Sequence, residues 1–384
     1  MRTKILHLIS NLDVGGAEMI LFQLVKCTDR SIFEPVVVSL TTLGSLGKDI
    51  SEMNIPVFAL GMQRGKFDPA RTVHLMQLIN SLKPDLVQSW MYHADFLGGL
   101  ACLANRIPLV WGIHNTVLEP GQSKQSTILT RQLCARLSYL APRMIVCCAD
   151  AAKQAHIALG YDARKMFVIP NGIDTERFKP ALPDERKQIR YELGIRETDV
   201  VVGLVARFDP LKDHHNFISA AGKVKVKNDN VSFVLCGRGC NWQNNELKKW
   251  IDEWNLRANI HLLDQRPDVP QILKSFDILA VSSYGEAWPV ALGEGMASGL
   301  PSVTTDVGDA ANIIGDSGIV VRPRDSTELA KGFETMISLG AEARRVLGAR
   351  ARRRIEQHFS LARTIDEYSA THLACSSRKQ PVAL

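Results

Sequence analysis

The chain has 384 residues, room for about two domains of ~150 residues each. Apolar residues make up 46% and charged residues 22%, which excludes a disordered, collagen-like or coiled-coil chain. The net charge of +6, from 46 Lys and Arg against 40 Asp and Glu, suits an anionic ligand or surface and is too small to point to nucleic acid.

At the start, Arg2 and Lys4 precede only ILHLIS before Asn11, too short for a signal-peptide core and without its small-residue cleavage site, so this segment is expected as a first strand. Short β-rich runs then alternate with helical patterns: GAEMILFQLVKC, PVVVSL, a polar helix, LVQSW, LVWGI, MIVCC and FVIPNGI. Such alternation predicts a parallel sheet covered by crossover helices. The stretch 96–113 comes nearest to a membrane span, and Asn105, Arg106 and Pro108 interrupt it. A second series, VVGLVA, SFVLCG, IHLL, DILAVS, SVTTD and GIVV, follows a charged stretch at 180–197.

The expected class is therefore α/β, with two doubly wound, Rossmann-like domains in series. Pro170, Asn171, Gly172, Pro180 and Pro183 mark the boundary. The expected division is 1–175, 176–365 and a C-terminal tail at 366–384 that can return to the first domain. Eight cysteines show no CxxC pair, which argues against zinc and disulfide scaffolds and for a reducing cytoplasm.

In doubly wound sheets ligands bind beyond the carboxyl ends of the strands, and two such domains would make a cleft between them. The first strand-to-helix loop, SNLDVGGAE, puts Gly15 and Gly16 ahead of a helix, where a backbone can approach a phosphate. The spacing is not GxGxxG, and a plain tight turn fits it as well. In the second series VARFDPLKDH places Arg207 after a strand and Lys212 five residues on, either a diphosphate clamp or a solvated turn. The third element, SSYGEAWPVALGEGMASGLP, sets Glu286 in a loop and Glu294 eight positions later, inside a helix starting near Pro289. Backbone amides from Trp288 to Ala291 can meet an anion while the two carboxylates accept from hydroxyls, an arrangement that fits a sugar nucleotide. The bland alternative is a favourable N-terminal Glu with an ordinary surface Glu.

In this order Gly15-Gly16-Ala17-Glu18, Pro170-Asn171-Gly172-Ile173-Asp174, Arg207 with Lys212, and Glu286 with Glu294 resemble the retaining GT-B glycosyltransferases of family 4, the group 1 glycosyltransferases, over roughly residues 4–368. The resemblance implies that Arg207 and Lys212 hold the donor diphosphate, that Glu294 binds ribose hydroxyls, and that Glu286 contacts the transferred sugar. Amides at Val290 and Ala291 would meet sugar and phosphate, with Gly16 approaching the phosphates from the first domain. His114, after LVWGI, falls where the family commonly places a histidine near the reacting centre. His93, in WMYHAD, is expected to end a strand and is an acceptor-side candidate with Asp95 and Asn115, His93 being equally readable as a structural histidine. Two positions depart from the family: Ala287-Trp288 replaces Gly-Phe, with Trp288 bearing on sugar choice, and Glu294-Gly295-Met296 replaces Glu-Ala-Met.

The implied enzyme transfers a sugar from a nucleotide sugar, UDP by family frequency, with retention, to a saccharide or lipid-linked acceptor in surface-polysaccharide or glycoconjugate assembly. No Asp-x-Asp strand end is present, so no metal or other cofactor is expected. A sugar-nucleotide epimerase and a non-catalytic nucleotide-sugar-binding subunit are the alternatives.

Residues 1–170 hold 17 basic and 12 acidic residues, a charge of +5, which leaves +1 for the remainder. Residues 126–140 read as a helix with Leu129, Leu133, Leu137 and Leu140 on one face and Lys124, Arg131, Arg136 and Arg143 around it. This reads either as a core-facing leucine stripe with solvated cations or as a contact with an anionic membrane at the inner face. The arginines 350–354 could add to that contact and are otherwise expected as solvated helix.

Overall fold

The computed structural model describes residues 2–63, 68–116 and 125–376. The chain divides into two units, Met1–Gly172 with Ala362–Leu384, and Ile173–Leu361. Both are built on apolar runs that pair as parallel strands buried on two faces. In the first unit these are β1 (Thr3–Ile9), β2 (Phe33–Ser39), β3 (Val57–Ala59), β4 (Leu86–Trp90), β5 (Leu109–Ile113), β6 (Met144–Cys147) and β7 (Met166–Val168). They run in the order β3-β2-β1-β4-β5-β6-β7. In the second unit β8 (Val200–Val205), β9 (Val231–Cys236), β10 (Ile260–Leu262), β11 (Ile278–Val281), β12 (Ser302–Thr305) and β13 (Gly318–Val321) run in the order β10-β9-β8-β11-β12-β13.

In each sheet the order reverses beside the first strand, between β1 and β4 and between β8 and β11. Where crossovers leave in opposite directions, the loops at the strand carboxyl ends part and leave a crevice. The Gly15-Gly16 loop follows β1, the 206–213 loop follows β8, and the Glu286 loop follows β11.

Residues 366–376, expected as tail, belong to the helix Leu361–Ser376, whose Tyr368 and Cys375 are buried in the first core with Ile5, Ile9, Leu24 and Val110. Thr364 Oγ1 donates to the Pro170 carbonyl at 2.9 Å and Arg143 to the Cys375 carbonyl at 2.7 Å. Positions 377–384 lie outside the described residues.

The arginine run is not simply solvated. Arg352 donates to the carbonyls of Ala297 (2.6 Å), Phe178 (2.8 Å) and Thr175 (3.2 Å), and Arg354 to those of Ile313 and Asn312. Arg352 therefore supplies a cation and donors to the C-terminus of the helix Val290–Ala297, where carbonyls lack helical partners.

The helix Gln125–Leu137 turns Leu129 and Leu133 outward. It buries Cys134 and Ala135, while Leu129 is 58%, Leu133 37% and, just beyond, Leu140 73% exposed. Leu137 and Arg131 are half-buried and Arg136 is exposed. Lys124 lies outside the described residues.

Candidate active site

After β8 the chain makes a short turn, Pro210–Lys212, capped by Asp209, whose Oδ1 accepts from the Leu211 N–H at 3.0 Å. The other oxygen of the same carboxylate takes Arg207 Nε at 3.1 Å, so Arg207 stands at the turn, half exposed. Lys212 points the other way: its Nζ pairs with Glu286 Oε1, which also accepts from Ser283 Oγ at 2.9 Å. The two side chains are 21% and 14% exposed. Backbone bonds fasten the two loops, the Tyr284 N–H donating to the Leu211 carbonyl at 2.9 Å and Ser282 Oγ to the Lys212 carbonyl at 2.8 Å. Lys212 and Glu286, 74 positions apart in sequence, are thus brought into one cluster. Arg207 is tied to Asp209 and lies outside that pair.

The stretch beyond Glu286 is held from below. The Asp309 N–H donates to the Ala287 carbonyl at 2.9 Å, and Gly308, at φ +53°, brings its backbone so near that a Cβ would strike this carbonyl. Trp288 turns inward: it is buried, meets Phe359 edge to face at 6.0 Å, and lies over Gly293. It therefore shapes the loop from inside the core, where no ligand surface is offered.

Pro289 is the N-cap of Val290–Ala297, one position before the helix proper. The Leu292 and Gly293 N–H groups donate back to the Pro289 carbonyl. Among the described residues none accepts from Val290 or Ala291, which leaves two amides and the positive helix end for an anion. One turn on, Glu294 is half-buried and no described residue hydrogen-bonds its carboxyl. Burial pushes that carboxyl up to about 7, with Arg177 pulling the other way.

Two contributors were not foreseen. In the sequence CGRGC, Gly237 at φ +154° lets the end of β9 close on Ala206, and the Phe208 N–H donates to the Arg238 carbonyl at 2.8 Å, which sets an exposed third cation beside the Arg207 loop. A glycine pair directly after an apolar strand was the available signal. Arg324 stands over the Tyr284 ring at 3.8 Å, and nothing local in the sequence pairs them.

In the first unit Gly15 is the N-cap and Gly16 the first residue of the helix Gly16–Cys27. The Glu18 carboxylate, which accepts from Asn11 Nδ2 at 3.1 Å, lies against Gly15, whereas the space at Gly16 is open. His93 does not end a strand: β4 stops at Trp90, Met91 takes φ +73°, and His93 sits half-buried in the first turn of Tyr92–Asn105. Asp95, in the same helix, is buried and accepts from Ser89 Oγ at 2.6 Å, and burial keeps its carboxyl well above the usual range. It is therefore a core group, against its reading as an acceptor-side candidate. Asn115 Nδ2 rests on Met91 Sδ at 3.8 Å.

His114 follows β5 directly. Its ring stacks on Trp90 at 5.2 Å and 23°, and among the described residues neither ring nitrogen has a partner. Burial lowers it to about 4, so at neutral pH it is an uncharged imidazole with one donor and one acceptor. Among the described residues no group of three or more His, Cys, Asp and Glu could hold a metal ion, and no helix is long and apolar enough to cross a membrane.

Residues 14–177 match the model of Glycosyltransferase Family 4 and residues 185–354 that of Glycosyl transferases group 1. A Bacillus subtilis protein named as a glycosyltransferase, EpsF, is 26% identical over 89% of this chain and 88% of its own length. The UDP-Gal:alpha-D-GlcNAc-diphosphoundecaprenol alpha-1,3-galactosyltransferase of Escherichia coli is 30% identical over 62% of each chain, less than two thirds of that protein's length. The crystal structure of Anabaena HepE in complex with UDP-glucose superposes with a TM-score of 0.84 at 25% identity, covering 96% of this chain and 99% of that one.

Proposed function

The chain carries the family 4 and group 1 domains of glycosyltransferases on a GT-B fold, and from that premise we propose that it transfers a sugar from a nucleotide-sugar donor, a UDP-sugar, to a saccharide or lipid-linked saccharide with retention at the anomeric carbon. The observation that carries this reading is the Lys212–Glu286 pair, with Glu286 just ahead in the chain of two amides, Val290 and Ala291, from which no described residue accepts. Cations and amides suit the diphosphate, and carboxylates suit the hydroxyls of a sugar and a ribose. The bond from C1 to the β-phosphate oxygen breaks with its electrons on the leaving UDP, an acceptor oxygen bonds to C1, and the acceptor proton is released. Lys212 and Arg207 stabilise the charge that grows on the diphosphate, which is where such a barrier lies. Glu286 and the neutral His114 contact the transferred sugar, Glu294 the ribose, and Gly16 the phosphates. The two cations supply the neutralisation that a metal would otherwise provide, so the reaction needs none. Likeness to HepE, seen with UDP-glucose, supports UDP as the nucleotide.

The test is a panel of UDP-, GDP- and ADP-sugars read by thermal shift and by nucleotide release, with and without EDTA. Stabilisation by UDP-sugars and UDP release indifferent to EDTA are expected. Stabilisation by none of them removes the reading, and conversion of the sugar to an epimer without UDP release replaces it with an epimerase.

The acceptor is proposed to be lipid-linked and met at the inner face of the cytoplasmic membrane, in surface-polysaccharide or glycoconjugate assembly. The named acceptor of the Escherichia coli relative supports this, as do the exposed Leu129, Leu133 and Leu140 beside Arg136. Arg143 has a structural partner in the Cys375 carbonyl. Vesicles containing phosphatidylglycerol should bind the protein in a flotation assay, and Leu129→Ser with Leu140→Ser should weaken that binding about tenfold or more. Equal binding to neutral and anionic vesicles would remove the charge from the account.

A further inference from the structure

An imidazole that acts on a ligand is ordinarily oriented by its second nitrogen, which donates to a carbonyl or carboxylate. His114 has no such bond among the described residues. Its ring is instead laid against Trp90, nearly coplanar at 23°. Trp90 ends β4 and is fully buried, and its indole stacks in turn with Tyr368 at 5.7 Å and 28°. The Tyr368 hydroxyl has no partner among the described residues, so this buried side chain contributes a flat face and not a hydrogen bond. The helix bearing it is pinned on both sides of the ring, by Thr364 to the Pro170 carbonyl and by His372 Nε2 to Gln88 Oε1 at 3.3 Å. Gln88 lies two residues before Trp90 in β4, so both side chains leave the same face of the strand.

We propose that Tyr368 is a positioning residue for His114: through the Trp90 ring, the last helix of the chain sets the plane of an imidazole that no described residue hydrogen-bonds. This rests on the reading of His114 as a group that touches the transferred sugar. It also gives residues 362–376, which return to the first unit, a part in the chemistry of the strand-end loop after β5.

The test measures UDP release from UDP-glucose without acceptor, together with the Kd for UDP, which has no sugar. Tyr368→Leu is expected to lower kcat about tenfold while KM and the UDP Kd stay within about twofold, because the ring contact is lost and the diphosphate site is not. Tyr368→Phe, which keeps the ring, is expected to retain the wild-type rate within about twofold. In a His114→Ala background, already slowed, Tyr368→Leu should cost nothing further. Tyr368→Met, flexible and without a flat face, makes the same comparison if the leucine variant does not fold. A slowed His114→Ala with wild-type kcat in Tyr368→Leu, or an equal further loss in the His114→Ala background, overturns the proposal alone. A wild-type rate in His114→Ala overturns the reading of His114 and the proposal with it, while loss of UDP binding by the wild-type protein would remove the donor reading first.

Discussion

Lys212→Ala should slow UDP release from UDP-glucose about a thousandfold, the scale reported for losing one preorganised donor aimed at developing charge. The ammonium is only 21% exposed and its partner carboxylate 14%, so water screens this charge less than one on the open surface. In the unliganded protein Glu286 holds Lys212 in place, and Ser283 holds Glu286. A bound diphosphate shares the cation and leaves the carboxylate free to accept from the sugar. Removal of Lys212 therefore does two things: it deletes the stabiliser and leaves an uncompensated carboxylate beside the phosphates. The double variant Lys212→Ala with Glu286→Gln separates them, since UDP affinity should recover with the second change while kcat stays low. Arg207→Ala should cost less, about tenfold to a hundredfold, because that guanidinium is 49% exposed and partly satisfied by Asp209. A Lys212→Ala enzyme within tenfold of wild type in kcat would show that leaving-group stabilisation rests elsewhere.

Much of this site is legible in the sequence because its frame is simple. Parallel strands buried on both faces are continuous apolar runs, and LVQSW and LVWGI correspond residue for residue to β4 and β5. The loop after each run is then a short search. Side-chain direction was not legible, because tertiary packing sets it. Trp288 and Glu294 belong to the same apolar stretch, yet one ring fills the space over Gly293 and one carboxyl stays half-buried with no hydrogen bond from a described residue. Asp95 is an acceptor-side candidate by sequence and a core acid in the structure, since the helix after β4 starts at Tyr92 and turns position 95 toward Ser89. The leucines of 126–140 match a buried stripe by spacing, but Cys134 and Ala135 are the buried residues, Leu137 lies over Gly99, and Leu129, Leu133 and Leu140 face out. β3 was missed because it has three residues at the edge of the sheet. The terminal helix reads as tail in the sequence because its pattern is mixed and only the core it joins shows which residues it buries.

Glu294 is expected to make donor binding depend on pH, in a direction that its surroundings fix. The free carboxyl, raised to about 7 by burial with Arg177 pulling the other way, is half protonated near neutrality. A carboxylate accepts from two ribose hydroxyls, whereas the protonated form must give up part of that capacity. Binding therefore favours the ionised form, and the Kd for UDP-glucose, a diester that does not titrate in this range, should be about tenfold weaker at pH 6 than at pH 8. At pH 6 binding should release close to one proton, seen by calorimetry in buffers of different ionisation heat. Glu294→Gln removes both the slope and the release, and should weaken binding at pH 8 about tenfold to a hundredfold. Stability moves the opposite way. The folded carboxyl titrates above its unfolded value of about 4.3, so its ionisation costs the fold progressively more as pH rises through that window and most above 7. Glu294→Gln should thus raise Tm at pH 8 and leave it unchanged near pH 4. A residue that weakens the fold where it binds the ligand best is kept for the ligand. If the glutamine variant bound UDP-glucose as the wild type does, or kept the slope between pH 6 and 8, the ribose would have to be held by another group.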